Sequence, residues 1–327
     1  MLSVYFVPVR PPLFKNYHDF KIIKIESGAS KRKYFRLKKG CEKYILMDSS
    51  KEPKQFENFL KIHKILSKIN ISIPKIYEYN SLNKVILLED FGNLRFDKIL
   101  NNSKLKVLLK VAIDSLLEIN NNIKNNKNYN LSSYSYKLFK KEISEFVDYF
   151  YPYYKKKNMS LEIKEEFYYV WKKQFNLIEH DFTKFIHKDF NLNNLIYLPK
   201  QSKHKRCGII DFQNSFWGDD SWDLFSLLED SRILFSNKYN DAFIKYFYSK
   251  TNQKCSLSNF FTRYHFFNCS RQTRLLGRWI KLSKQKNSKF YLNFIKVTNK
   301  RLLISLNKPH LKNIKKLYCK LIPELYV

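Results

Sequence analysis

Four polar residues between positions 187 and 211 have the types and the spacing that phosphoryl transfer requires. Asp189 lies five residues before Asn194, within the segment IHKDFNLNNLIY at residues 186–197. Asp211 lies 22 residues after Asp189 and directly follows two β-branched apolar residues, so we expect it at the end of a strand. The pattern predicts a loop, a strand and an acidic strand end that together form a site with a base and a metal.

Transfer of a γ-phosphoryl group depends on positioning the acceptor hydroxyl, accepting its proton and neutralising phosphate charge with Mg²⁺. We therefore expect Asp189 to be the base that faces the acceptor. Asn194 and Asp211 offer the hard oxygen ligands that Mg²⁺ prefers. His187 is expected to orient the loop by hydrogen bonding. The alternative is a polar loop in which these residues fall together by chance.

Polar residues beyond Asp211 each allow two interpretations. Asp223 lies where a helix is expected to begin, so its carboxylate could cap that helix or hold the backbone of the loop around Asp189; we favour a structural role. Arg271, Arg274 and Arg278 share one face of a predicted helix. They could line a pocket for an oxygen-rich acceptor, or they could form a solvated basic face.

The 327 residues carry a formal net charge of +32, which raises nucleic acid or an anionic membrane surface as possible partners. The lysines are scattered through every segment, however, so we attribute the charge to a bias of the whole sequence and expect no nucleic-acid partner. The five cysteines are widely spaced and include no C-x-x-C pair, which argues against a disulfide framework or a zinc site.

The N-terminal segment lacks the features of a signal peptide, and no uninterrupted apolar run reaches the roughly 18 residues of a membrane span. We expect a soluble, cytoplasmic protein that does not contact a membrane. A monomer is the expected oligomeric state.

Periodicity divides the chain into a strand-rich first part and a helix-rich second part. Strands are expected at 20–25, 33–37, 43–47, 75–79 and 84–88, with a helical pattern over 56–69 between them. Helices are expected at 105–119, 136–154, 161–179, 219–231, 240–248, 258–282, 288–305 and 312–321.

An acidic connector that ends in glycine, residues 87–92, would suit a hinge between these parts. We therefore place an N-terminal lobe at 1–92 and a C-terminal lobe at 93–327. The expected fold class is α+β, with a small antiparallel sheet in the first lobe and a larger, mainly helical second lobe.

The turn between the first two strands, residues 26–32, is rich in small residues. Gly28, Ala29 and Ser30 would let backbone amides approach a phosphate closely. An ordinary hairpin turn is the alternative.

Two motifs carry a resemblance to a known family. The pattern H-x-D-x4-N at 187–194, followed by IIDFQ at 209–213, resembles the aminoglycoside phosphotransferase and choline kinase-like family, small-molecule kinases with a bilobal, protein-kinase-like fold. More narrowly, the chain resembles the anomeric sugar kinases that phosphorylate N-acetylmuramate and N-acetylglucosamine in bacterial cell-wall recycling. The stretches that carry this narrower resemblance are 29–36, 45–48, 211–230 and 271–277.

The resemblance implies a kinase that uses ATP and Mg²⁺ and makes a sugar 1-phosphate. Asp189 would be the catalytic base, with His187 beside it, and Asn194 and Asp211 would hold Mg²⁺. The residues expected at the nucleotide are Gly28, Ala29, Ser30, Arg32, Arg36, Glu89 and Phe91. The residues expected at the acceptor are Asp189, Gln213, Arg271 and Arg274.

The third strand lacks the phosphate-contacting lysine that most kinases of this superfamily carry. It reads YILMD at 44–48, and the anomeric sugar kinases share its Met-Asp ending. Another cation should therefore face the phosphates, and Arg32 or Arg36 is the candidate. Two departures from the narrower family are Gly28, where Asp is usual, and Asp219, where Pro is usual; neither affects the expected base or metal residues.

Two other functions stay open. One is a kinase of a different hydroxylated metabolite, such as choline, homoserine or an aminoglycoside. The arginine-rich helix argues against a cationic acceptor, since cations usually bind in acidic or aromatic pockets. The other is a catalytically silent nucleotide-binding or nucleic-acid-binding protein, against which the complete set of base and metal residues argues.

Overall fold

The structure is a computed structural model that describes residues 17, 19–25, 30–231, 239–252 and 254–326. Gly28 and Ala29, two of the residues expected at the nucleotide, lie outside the described residues.

A five-stranded antiparallel sheet forms the first part of the molecule. Its strands are β1 Lys21–Ile25, β2 Lys33–Lys39, β3 Glu42–Asp48, β4 Ile76–Asn80 and β5 Val85–Glu89. Their order in the sheet is β1-β2-β3-β5-β4. β3 pairs with β5 from Tyr44 to Asp48, and apolar residues of both strands are buried, which explains the strong strand pattern of the sequence.

Helix α1, Pro53–Leu66, packs on this sheet. Its buried residues are Phe56, Phe59, Ile62, Ile65 and Leu66, at the spacing of one helical face. Proline at the first helical position fixes where the helix begins, because its missing N–H has no helical partner there anyway.

The second part is mainly helical, as the sequence predicts. Its helices are α2 Phe96–Ile99, α3 Leu105–Asn122, α4 Tyr136–Glu145, α5 Tyr151–Lys155, α6 Leu161–Leu177, α7 Ser221–Leu228, α8 Asn240–Lys250, α9 Leu257–Gln285, α10 Ile295–Leu306, α11 Lys312–Leu321 and α12 Pro323–Tyr326. None of the helices among the described residues is long and apolar enough to cross a membrane. The boundary expected at residue 92 falls in the connector between β5 and α2 and stays a prediction.

Four short strands between α6 and α7 form two antiparallel pairs. They are β6 Lys184–Ile186, β7 Leu195–Tyr197, β8 Cys207–Ile209 and β9 Phe216–Gly218. β6 pairs with β9, and β7 pairs with β8. These pairs frame the loop that carries Asp189 and place Asp211 two residues after the end of β8.

The expected helix over 136–154 is continuous but not uniform. Residues Phe146–Phe150 form a turn of π-helix between α4 and α5. Gly277 of α9 packs directly on this segment, since a methyl group on its Cα would lie 1.9 Å from the carbonyl oxygen of Glu145. π-Turns within helices commonly occur at functional sites.

Candidate active site

A buried carboxylate holds the loop that carries Asp189. Asp223, in the first turn of α7, accepts hydrogen bonds from the backbone N–H groups of His187, at 2.6 Å, and Lys188, at 3.0 Å. The indole N–H of Trp222 donates to the carbonyl oxygen of Lys188 at 3.3 Å. Lys188 has a φ of +79°, so the chain turns sharply just before Asp189. The structural role favoured for Asp223 is therefore to hold this loop.

Burial raises the pKa of the Asp223 carboxyl to about 7, although the two backbone N–H groups oppose the shift. Between about pH 4 and pH 7 the folded protein therefore binds a proton at Asp223 that the unfolded chain does not. Stability falls with rising pH wherever the folded state holds more protons. We expect Asp223→Asn to remove this contribution, since an amide does not titrate.

The check is the unfolding free energy of wild type and Asp223→Asn at several pH values. The unfolding free energy of the wild type, relative to that of Asp223→Asn, should fall by a few kcal/mol from pH 4 to pH 7, because each unit of pKa difference is worth about 1.4 kcal/mol. A rise of this difference in unfolding free energy over the same range would contradict a raised pKa of Asp223.

His187 links the loop to the segment before Asp211. Its side chain is fully buried, and its Nε2 lies 3.1 Å from the carbonyl oxygen of Ile210. Burial lowers the pKa of His187, and the carboxylates of Asp189 and Asp211 oppose this effect only in part. The neutral imidazole can donate from Nε2 to that carbonyl group. The buried position of His187 therefore fits the predicted role of orienting the loop better than direct contact with a substrate.

Asn194 and Asp211 lie side by side because β7 and β8 pair. The N–H of Ile210 donates to the carbonyl oxygen of Asn194 at 3.0 Å, and the Asn194 Nδ2 donates to the carbonyl oxygen of Asp189 at 2.9 Å. Asp211 has a φ of +67°, a conformation that is rare for residues other than glycine. Unusual backbone conformations of this kind cluster at functional sites.

The carboxylate of Asp211 has two partners on the same oxygen. Oδ1 accepts a hydrogen bond from Nε2 of Gln213 at 3.0 Å and pairs with Nη2 of Arg32 at 2.8 Å. Gln213 is buried, so it orients the Asp211 carboxylate, and its predicted contact with an acceptor stays a prediction.

The donor set suits Mg²⁺. Within the described ranges, no group of three or more His, Cys, Asp or Glu side chains could hold a metal ion by itself. Mg²⁺ is usually bound by one or two protein ligands together with substrate phosphates and water. A carboxylate and an amide oxygen at the ends of two paired strands match that requirement.

Arg32 and Arg36, the two candidates for a phosphate-contacting cation, lie in different places. Arg32 is buried beside Asp211. Arg36 reaches the connector after β5, where its Nε lies 2.6 Å from Oδ2 of Asp90 and its Nη2 donates to the carbonyl oxygen of Gly92 at 3.1 Å. Of the two, Arg32 is the one that the structure places beside Asp211, a residue expected to hold Mg²⁺.

Glu89 and Phe91, two of the residues expected at the nucleotide, lie at this connector. The carboxylate of Glu89 accepts a hydrogen bond from the N–H of Lys75. The ring of Phe91 packs against Gly208 of β8, where a Cβ would come within 2.7 Å of it. The described residues expected at the nucleotide therefore lie in or just before β2, in the connector and against β8. Their contact with a nucleotide stays a prediction.

The arginines expected at the acceptor lie on α9 near the loop. Arg274 pairs with Glu142 of α4 at 2.7 Å, and the hydroxyl of Tyr134 donates to the same carboxylate at 2.8 Å. Burial lowers the pKa of Arg274, but the carboxylate of Glu142 and, to a smaller extent, that of Asp189 raise it. Arg271 is buried, and its charge acts on Asp223. Glu142 was not predicted, since nothing in the sequence relates α4 to α9.

A comparison with family models extends this description. The model of the phosphotransferase enzyme family matches residues 21–97 and 154–252, more than half of the chain. The chain belongs to this family. The first matched segment contains the sheet with α1, and the second contains the loop of Asp189 together with Asp211 and Asp223, whereas Arg271 and Arg274 of α9 lie outside both segments.

Curated relatives confirm the narrower resemblance of the motifs. The chain is 24% identical over 217 residues to an N-acetylmuramate/N-acetylglucosamine kinase of Pseudomonas aeruginosa, a match that covers 65% of this chain and 61% of the relative. It is 23% identical over 316 residues to a kinase of the same name from Caulobacter vibrioides, covering 85% and 86%. The match to the Pseudomonas relative therefore spans less than two thirds of that protein.

Solved structures confirm the predicted fold. The choline kinase LicA from Streptococcus pneumoniae superimposes with a TM-score of 0.61 at 15% identity, covering 89% of this chain and 96% of that one. The ADP-bound aminoglycoside phosphotransferase APH(2'')-Ib gives a TM-score of 0.60 at 16% identity, covering 89% and 94%. At these identities the likeness establishes the fold of an antiparallel sheet followed by a mainly helical part.

Proposed function

We propose that this protein is an ATP- and Mg²⁺-dependent kinase that phosphorylates the anomeric hydroxyl of N-acetylmuramate or N-acetylglucosamine and so yields a sugar 1-phosphate. The observation that carries the proposal is the convergence of Asp189, Asn194 and Asp211 on one loop-and-strand unit. The names of the curated relatives support an amino sugar as the acceptor. A place in cell-wall recycling, a cytoplasmic location and a monomeric state belong to the same proposal.

Asp189 is the base in this mechanism. Its carboxylate is half-buried, on a loop whose backbone is held by Asp223 and by the amide of Asn194. It orients the acceptor hydroxyl and accepts its proton as the oxygen bonds to the γ-phosphorus. A rigid loop benefits this step because small errors in the position of the base are costly.

Asn194 and Asp211 are the residues that would hold Mg²⁺. When bound, the ion neutralises the charge on the phosphate oxygens. Gln213 and Arg32 hold the Asp211 carboxylate from one side, which fixes its direction. Arg32 is the cation we assign to the phosphates in place of the missing third-strand lysine.

Arg274 is expected to contact the acceptor. The charge of Asp189 acts on Arg274, and the pairing of Arg274 with Glu142 limits the freedom of its side chain. Arg274→Ala should raise the KM for the acceptor about tenfold, since a hydrogen bond from a charged group is worth about 1.5–3 kcal/mol, and should leave the affinity for ADP unchanged.

Arg278→Ala is the matched control for this prediction. Arg278 lies one turn further along α9, is more exposed and pairs with Glu145 instead. Equal changes in KM for both variants would point to a general effect on α9 and count against an acceptor contact by Arg274.

The acceptor itself is identified with a panel. Pure protein is incubated with ATP, Mg²⁺ and N-acetylmuramate, N-acetylglucosamine, choline or kanamycin, and ADP release is followed. Release that depends on either amino sugar supports the proposal. ADP release with choline or kanamycin alone would identify a choline kinase or an aminoglycoside kinase and would reject the amino-sugar proposal. The absence of any acceptor-dependent ADP release would contradict a kinase of these metabolites.

A further inference from the structure

The side chain of Arg32 lies among three polar partners next to Asp211. Its side chain is 5% exposed. Nη2 pairs with Oδ1 of Asp211 at 2.8 Å, Nε donates to Oγ of Ser30 at 2.9 Å, and Nε lies 3.7 Å from Oε2 of Glu52. Among the described residues, its Nη1 is buried without a hydrogen-bond partner. A buried guanidinium N–H without a partner is costly, so this group is suited to receive an anionic ligand.

Glu52 is oriented toward Arg32 and away from its own helix. It directly precedes Pro53 at the N-cap position of α1, and its side chain makes no capping hydrogen bond to that helix. Its Oε2 instead accepts a hydrogen bond from the hydroxyl of Ser30 at 2.7 Å. Glu52 and Ser30 therefore form a small support on which the Arg32 guanidinium lies.

Helix α1 also contacts the segment that carries Asp211. The ring of Phe59 stacks on Phe212, with their centroids 4.7 Å apart. One turn earlier, Nε2 of Gln55 donates to Oδ1 of Asn214 at 3.3 Å. The start of α1 thus fixes the distance between Glu52 and Asp211, and Arg32 spans that distance.

We propose that Glu52 is a positioning residue that holds Arg32 for the nucleotide phosphates, so that the pair Arg32–Glu52 serves where protein kinases use an ion pair between a third-strand lysine and a helix glutamate. The fork of an arginine allows this, because it can bind Asp211, Ser30 and Glu52 and still offer N–H groups to a phosphate, which a lysine ammonium cannot. The inference rests on the proposed kinase function and names residues that act within it.

The test separates phosphate recognition from folding. Binding of Mg·ADP and of adenosine is measured by calorimetry for wild type, Glu52→Gln and Glu57→Gln. Glu57 is the matched control, because it lies on the same helix but pairs with Lys84 at the surface. Glu52→Gln should weaken ADP binding about tenfold and change adenosine binding less than twofold, whereas Glu57→Gln should change neither.

A double-mutant cycle with Arg32→Ala tests whether Glu52 acts through Arg32. The combined variant should bind ADP no more weakly than Arg32→Ala alone, because Glu52 then has no cation to position. Arg32→Lys should recover less than half of the lost ADP affinity, measured as the logarithm of the dissociation constant.

Additive effects, or an equal loss of adenosine and ADP binding in Glu52→Gln, would overturn the inference. Unchanged ADP binding in Glu52→Gln would do so as well. Failure of the wild type to bind ADP would instead reject the proposed kinase function, so the two failures are distinguishable.

Discussion

Replacing Asp189 with asparagine is expected to lower turnover by more than about 100-fold, because the amide cannot accept the proton of the acceptor hydroxyl. Asparagine has nearly the same shape, so the loop held by Asp223 should keep its conformation. ADP binding should therefore change little. The measurements are acceptor-dependent ADP release under saturating substrates and calorimetric binding of Mg·ADP.

Asp114→Asn serves as the control for this prediction. Asp114 lies on α3 in a surface pair with Lys110, so its loss should leave turnover within about twofold of wild type. Turnover of Asp189→Asn within tenfold of wild type would show that another group accepts the proton.

Substituting alanine for Gly277 is expected to have the largest effect on stability. The new methyl group would lie 1.9 Å from the carbonyl oxygen of Glu145, and the nearest atoms are backbone, which cannot rotate away. Helix α9 or the π-turn must then move. We expect a loss of at least about 3 kcal/mol in unfolding free energy, the range of severe overpacking. Thermal and urea unfolding provide the measurement.

Gly40→Ala distinguishes this clash from the general cost of replacing glycine. Gly40 has a φ of +56°, but a Cβ there would meet no atom of the described residues within 4 Å. Its substitution should cost about 1–2 kcal/mol, the penalty of the left-handed conformation alone. If Gly277→Ala were no worse than Gly40→Ala, the helices would not be packed as closely as described.

Much of the fold is predictable because local patterns reflect burial. The five strands of the sheet and helix α1 were predicted within a few residues, since the strands are rich in β-branched and aromatic residues and α1 has one buried face at helical spacing. The three-residue strands around Asp189 were not fully predicted. Their length carries too little pattern, and their pairing depends on the surrounding helices. The π-turn at Phe146–Phe150 was missed because it depends on the contact with Gly277.

The residues of the candidate site also differ in whether local sequence patterns reveal them. Asp189, Asn194 and Asp211 could be predicted because they lie within 23 residues of one another, and their spacing carries the chemistry. Glu52 and Glu142 could not, because each meets its arginine only through packing between separate elements. The sequence also could not choose between the two hairpin arginines, since the direction of a side chain on β2 depends on what the sheet faces.

Arg36 has a consequence for how the two parts of the molecule can move. Through Asp90 and Gly92 it fastens the connector to β2, so residues up to about 92 travel with the sheet. The carbonyl oxygen of Leu94, in contrast, accepts a hydrogen bond from the N–H of Tyr197 at 2.7 Å, which attaches this end of the connector to β7 in the second, mainly helical part. Bending of the connector would therefore concentrate at the peptide bonds between Gly92 and Leu94, and it would also have to shift the contacts of Phe91 with Gly208 and of Phe59 with Phe212 that join the two parts.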